Sequence, residues 1–180
     1  MKKYFLSAVV ALLLAASPVM AKEGFYLGAF MPTDSISGDA GAGVSSGNGW
    51  GARAGVGFNR YFAIEANYSA TKHDVAANKS LDLKGLAADL KLNFPLTTLD
   101  SAQIMSVEPY ILFGYAHYEL GNSAPVKSDG TQYGFGVELY LFRELSVNAG
   151  WAKSAISWDS TPKRDGDIKT VNVGLIYHFI

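Results

Sequence analysis

Apolar side chains return at every second position in run after run of this chain. A period of two is the period of a β-strand, whose successive side chains point to opposite faces. Eight such runs can be read, each about ten residues long: Gly24 to Met31, Gly49 to Phe58, Phe62 to Ser69, Asp82 to Phe94, Val107 to Leu120, Gln132 to Phe142, Leu145 to Ala152 and Ile168 to Phe179. Helical periodicity is weak throughout. Segments rich in Gly, Ser, Asp and Lys separate the runs, as turns require. The connections after runs one, three, five and seven read as long: Pro32 to Asn48, Ala70 to Leu81, Gly121 to Thr131 and Lys153 to Asp167. Those after runs two and six are tight, around Asn59-Arg60-Tyr61 and Arg143-Glu144, and the link Pro95 to Ser106 breaks this pattern as a longer turn.

The two faces of these strands differ in an informative way. One face is a continuous apolar row, for example Trp50, Ala52, Ala54, Val56 and Phe58. The other carries Gly, Ala, Asn and single charges, too little apolar volume for a dry core. A water-soluble sheet would hide the first face and show the second. The reverse sense, apolar row to lipid and polar row to a lumen, is that of a membrane barrel. In hydrocarbon every backbone group must be paired, so the sheet has to close. The sequence therefore predicts an all-β fold, an eight-stranded antiparallel up-and-down transmembrane β-barrel. Trp50, Tyr68, Tyr133 and Trp151 fall at strand ends beside the long connections, and Phe58, Phe62, Phe94 and Phe179 at the opposite ends. They read as two interfacial aromatic girdles.

The first 21 residues stand apart. Lys2 and Lys3 precede an apolar stretch from Phe5 to Ala16, Pro18 breaks it, and Val19-Met20-Ala21 gives small residues at cleavage spacing. This is the pattern of a cleaved secretory signal peptide, residues 1–21, followed by a barrel domain over 22–180. Cleavage leaves 13 bases against 16 acids, a balance of −3. That gives no electrostatic case for nucleic acid. The chain has no cysteine, so disulfides and thiolate metal sites are excluded.

Arg53, Glu65, Asp89, Lys91 and Glu138 all fall on the inward row. Facing lipid at midplane, an Arg or Lys would cost about 2–4 kcal/mol. In a lumen they can pair. Arg53 and Glu65 lie on adjacent strands joined by a tight turn, so they are expected as opposite or diagonal neighbours, with Asp89, Lys91 and Glu138 extending the network. Eight strands enclose a space that side chains alone fill, so the expectation is a polar plug, with a narrow passive channel for small solutes as the alternative.

Other motif matches carry no chemistry. Gly43-Val44-Ser45-Ser46-Gly47 fits a hydrolase string without a strand-to-helix elbow. Gly49, Gly51 and Ala54 fit a relaxed dinucleotide fingerprint with no helix following. His73, His117 and His178 are spread over the predicted barrel, so neither a metal nor another cofactor is expected.

The signal peptide, "GFYLGAF", "RAGVGFNRYFAIEANY", "YGFGVELYLFRELSVNAGW" and "VNVGLIYHF" together resemble the small bacterial outer-membrane barrels of the OmpA/OmpX and opacity type, over essentially the whole mature chain. The resemblance implies residence in the outer membrane of a Gram-negative bacterium, reached through the periplasm, and contact with outer-membrane lipid and lipopolysaccharide. It implies a carboxy-terminal assembly signal read by the barrel assembly machinery, here Asn172, Gly174, Tyr177 and Phe179. The family usually ends on the aromatic, and here Ile180 follows it. The implied role is structural or one of surface interaction (adhesion, lipopolysaccharide or host-factor contact) through the extracellular connections. Lys163 and Arg164 are the first expected anion contact there. Some barrels of this size modify lipid A. That would need a Ser, a His and an acid near the outer leaflet, for which His117, Ser123 and Glu119 are the one candidate set, and no family motif surrounds them. The expected role is non-enzymatic.

Overall fold

A computed structural model of the chain describes residues 24–38, 44–75, 79–96, 106–121, 126–158 and 164–179. They form eight antiparallel strands in a closed barrel with each strand next to its neighbour in sequence. The strands are β1 (Gly24–Gly38), β2 (Gly47–Gly57), β3 (Phe62–Val75), β4 (Lys79–Asn93), β5 (Ser106–Leu120), β6 (Val126–Tyr140), β7 (Leu145–Trp158) and β8 (Arg164–His178). The last pairs with the first, from Tyr26↔His178 to Gly38↔Gly166, so among the described residues no edge is left open. The signal-peptide segment and Ile180 lie outside the described residues.

The register sets the width. Stepping between partners from Gly28 through Arg53, Asn67, Ala87, Ala116, Gly130, Ile156 and Gly166, the ladder returns to β1 at Gly38, ten residues further on. Such a stagger requires strands tilted by roughly 35–45° to the barrel axis. Every residue on that path points inward. Phe25, Leu27, Val56, Ile64, Leu90, Phe135, Val173 and Leu175 point outward, each 43–59% exposed, which makes an apolar outer wall. Trp50 packs on Tyr68 with ring centroids 5.6 Å apart, Tyr133 on Trp151 at 6.1 Å, and Phe25 on Phe179 at 5.5 Å. Phe62 and Phe94 are outward and exposed, and Phe58 is half-buried beside the β2–β3 turn.

The strands run further than their apolar alternation indicates. β1 reaches Gly38, β3 reaches Val75, β6 begins at Val126, and β7 and β8 meet at Trp158↔Arg164. Most of the four segments read from sequence as long connections is therefore strand, and the barrel wall itself projects past the apolar band. The cause is a reversal of polarity. On β8, Val171, Val173 and Leu175 face out below the reversal. Above it the outward residues are Lys169, Asp167 and Asp165, and Ile168 turns inward with no exposure. β4 does the same between outward Leu86 and inward Leu83, β7 between outward Trp151 and inward Ile156. Ile36, Leu83, Ala87, Ala116, Tyr118, Ile156 and Ile168 meet inside as an apolar cluster, with Val44 and Leu120 against it. The expectation that the inner face lacks apolar volume fails here, and lower down Tyr26, Ala63 and Ile176 make a smaller apolar cluster among the charges. Above the lipid the outside solvent is water, so the usual inside-out rule of soluble proteins returns.

This inversion is testable by denaturant titration of the folded barrel in lipid. Ile168→Ala should destabilise by about 2–4 kcal/mol, the range for truncating a buried Ile. The neighbouring Lys169→Ala should change stability by less than about 0.5 kcal/mol. Equal effects would contradict the inversion.

Candidate functional site

The lower lumen is built from the inward row. Glycines on that row make room for large inward rings. A Cβ at Gly51 would run into the Phe30 ring, and one at Gly55 into the Tyr26 ring. Tyr26, Phe30 and Tyr110 thus reach into the bore from β1 and β5, each at most 6% exposed. Around them sit Arg53, Glu65, Asp89, Lys91 and Glu138, all 2–5% exposed.

These five charges divide into two ion pairs and a separate carboxylate. Arg53 stands opposite Asn67, and Glu65 opposite Gly55, so the two are diagonal neighbours. Arg53 Nη1 lies 3.6 Å from Glu65 Oε1. Arg53 Nη2 also donates to Asn172 Oδ1 at 3.0 Å, and its guanidinium stacks 4.6 Å from the Phe30 centroid. Tyr26 donates to Glu65 Oε2 at 3.0 Å. Lys91 Nζ donates across the bore to Glu138 Oε2 at 2.6 Å, over the Tyr110 ring at 4.4 Å. Asp89 takes no cation. It accepts from Asn67 at 2.9 Å and from Gln132 at 3.0 Å on each oxygen.

Sequence reasoning missed several members. His178 Nε2 lies 2.9 Å from Glu138 Oε1, and Ser146 donates to the same oxygen at 2.6 Å. Because that oxygen only accepts, Nε2 carries a proton here. Glu108, also fully buried, sits two residues before Tyr110 on the inward parity of β5 and hydrogen-bonds with Ser106. Parity alone would have flagged it. Asp34 was beyond reach, since run one was ended at Met31. It is 1% exposed and accepts from Thr71 at 2.9 Å and Thr170 at 2.6 Å. Thr71 also contacts buried His73, whose Nδ1 lies 2.9 Å from the Ser45 carbonyl oxygen.

A cavity of about 50 Å³ lies among Arg53, Glu65, Asn67, Asp89, Gln132 and Asn172. A second, of about 10 Å³, lies among Tyr26, Lys91, Glu138, Tyr140 and His178. The two share no lining residue. A water needs roughly 10–15 Å³ measured this way, so the lower one admits one water at most.

His117 faces outward near the rim. Its Nδ1 is 2.7 Å from Asp129 and its Nε2 3.7 Å from Glu119, so carboxylates flank both nitrogens. Lys127 hydrogen-bonds Glu119 and holds that carboxyl below its ordinary range. Ser123 and Lys163 lie outside the described residues, as does the side chain of Arg164 at the start of β8. No group of three or more His, Asp or Glu side chains with metal-binding geometry occurs among the described residues. At the chain's end, Asn172 faces inward to Arg53, and a Cβ on Gly174 would press on the Ala29 carbonyl 2.5 Å away. Tyr177 and Phe179 face out, edge to face at 5.0 Å.

A model of the outer membrane protein beta-barrel domain matches residues 6–179. No curated protein matches the chain in sequence. Among solved structures it is similar to Neisserial surface protein A, at 18% identity and a TM-score of 0.64, covering 87% of this chain and 97% of that one. It is similar to Ail, the attachment invasion locus protein of Yersinia pestis, at 15% and 0.55, covering 87% and 99%. It is similar to the outer membrane protein OprG of Pseudomonas aeruginosa, at 16% and 0.50, covering 88% and 97%. At these identities the likeness concerns the fold.

Removing one partner of the buried pair tests the lumen. Lys91→Met should cost about 3–5 kcal/mol, because Glu138 is left charged and buried. The double change Lys91→Met/Glu138→Leu should recover much of the loss. Unfolding in urea reads both, and an undiminished loss in the double variant would mean the pair is not the cause.

Proposed function

We propose a function from the premise that the chain belongs to the outer membrane protein beta-barrel domain family. Its place is the Gram-negative outer membrane, and its work is structural and surface interaction at the cell exterior, with the lumen serving as a plug. The observation that carries this reading is the Lys91–Glu138 contact across the bore, 2.6 Å long and braced by His178 and Ser146. A permeating solute would have to part an ion pair that almost no water reaches. The space that this pair lines amounts to about 10 Å³, which disfavours a narrow passive channel.

The role is non-enzymatic. His117 stands on the outer wall beside Asp129 and Glu119, and no family motif surrounds it. Binding therefore falls to the projecting wall and its connections. Lys163 and Arg164, at the β7–β8 connection, are proposed to contact lipopolysaccharide phosphates, since basic side chains near an anionic surface each add about 1 kcal/mol. Asn172, Gly174, Tyr177 and Phe179 are proposed to present the last strand to the barrel assembly machinery by strand addition.

Two measurements test this. In planar bilayers the wild type should show no stable, large openings, and Lys91→Ala/Glu138→Ala should raise conductance steeply. Large, long-lived wild-type openings would end the plug reading. Lipopolysaccharide binding should fall when Lys163 and Arg164 are both neutralised, and undiminished binding would remove them from that role.

A further inference from the structure

The outer wall of β2, β3 and β4 carries a notch at the level where the apolar band ends. Its volume is about 200 Å³, enough for one sugar ring. Trp50 forms one side, 60% exposed and steadied against Tyr68. Ala70 stands opposite Trp50 in the register and contributes only a methyl, so the floor is shallow. Lys84 stands opposite Ala70 and flanks that floor, and Lys72, opposite Asp82, lies two residues above Ala70 on the same face.

Their charge is not spent within the protein. Lys91, Lys127 and Lys153 each hold a carboxylate. Lys72 and Lys84 are exposed and make no ion pair with any described residue. Asn48 completes the rim. Its Oδ1 accepts from Thr33 at 2.7 Å, which leaves the amide nitrogen as a donor. The notch thus offers an aromatic face, two cations, an amide donor and, in Asp82, a carboxylate able to accept hydroxyl hydrogen bonds. Asp82 has a contact of its own, so the cations and the indole carry the recognition.

We infer that this notch binds the phosphorylated sugar headgroup of an outer-leaflet glycolipid. The apolar C–H face of a pyranose packs on an indole, and the ring hydroxyls need mixed donors and acceptors. Phosphate is met by the point charges of the two lysines. Depth selects the lipid source. Trp50 belongs to the interfacial girdle and Lys84 lies two residues beyond outward Leu86, so the phosphate level of the leaflet meets the lysines while the acyl chains lie along the apolar wall below. The inference rests on the outer-membrane reading above.

The test uses the full mature chain folded in detergent with diphosphoryl lipid A as probe, and native mass spectrometry as readout. Wild type should retain one lipid A. Lys72→Gln/Lys84→Gln should weaken retention by about fivefold for each lysine removed. Trp50→Ala should weaken it independently, and dephosphorylated lipid A should bind wild type about as poorly as the double variant binds the intact lipid. Lys169→Gln, a lysine on the far wall, should leave retention unchanged. Heat-modifiable gel mobility confirms that each variant is folded. A folded double variant that retains lipid A as well as wild type overturns the site. Displacement by inorganic phosphate alone, or stronger capture of a soluble sulfated glycan than of lipid A, overturns the glycolipid assignment. Failure of the wild type to fractionate with outer membranes would instead sink the outer-membrane reading, which separates the two.

Discussion

Hydrocarbon offers no hydrogen-bond partner to a peptide group, and the rest of this molecule depends on that. Each unpaired N–H or C=O would cost several kcal/mol there. The Tyr26↔His178 to Gly38↔Gly166 ladder removes the last open edge. Closing eight strands with a ten-residue stagger then fixes the diameter, and with it the space that inward side chains must fill. The glycines beneath Phe30 and Tyr26 and the pairing of every inward cation follow from that narrow bore.

Filling a bore with charge is not a cheap way to gain stability. A buried ion pair loses most of its Coulombic gain to desolvation, and an apolar replacement is often equal or better. The arrangement of Arg53, Glu65, Lys91 and Glu138 makes more sense as specification. Each side chain has partners at defined distances on other strands, so a strand slipped by one residue would turn its charge into lipid. The polar row keeps the register, and the apolar row holds the barrel in the membrane.

The alternation in the sequence carried the fold class, the strand count and the inward side of Arg53, Glu65, Asp89, Lys91 and Glu138, because a period of two survives in any single strand. It also indicated that Arg53 and Glu65 would meet, since a tight turn fixes their relation. Lys91 and Glu138 are 47 residues apart and meet over the intervening strand β5, which depends on the registers of two successive strand pairs and on no local pattern. His178 was missed for the same reason. Ile36, Asp34 and Ile156 escaped for a different one. Alternation was read as having a single sense, whereas its phase reverses where lipid gives way to water, so ordered strand looked like loop. Trp50, Lys72 and Lys84 are far apart in sequence and converge only through the register.

The polarity reversal also decides what kind of object the cell exterior presents. A barrel that ended at the lipid would display flexible tethers. This one displays a wall, with outward side chains fixed about every 6.6 Å along each strand and strands about 4.8 Å apart. Such a wall works as a lattice of sites on which a single substitution changes one point and leaves the shape intact. Substitution on this surface can therefore proceed residue by residue, without insertions, while the apolar cluster behind it holds the lattice in place.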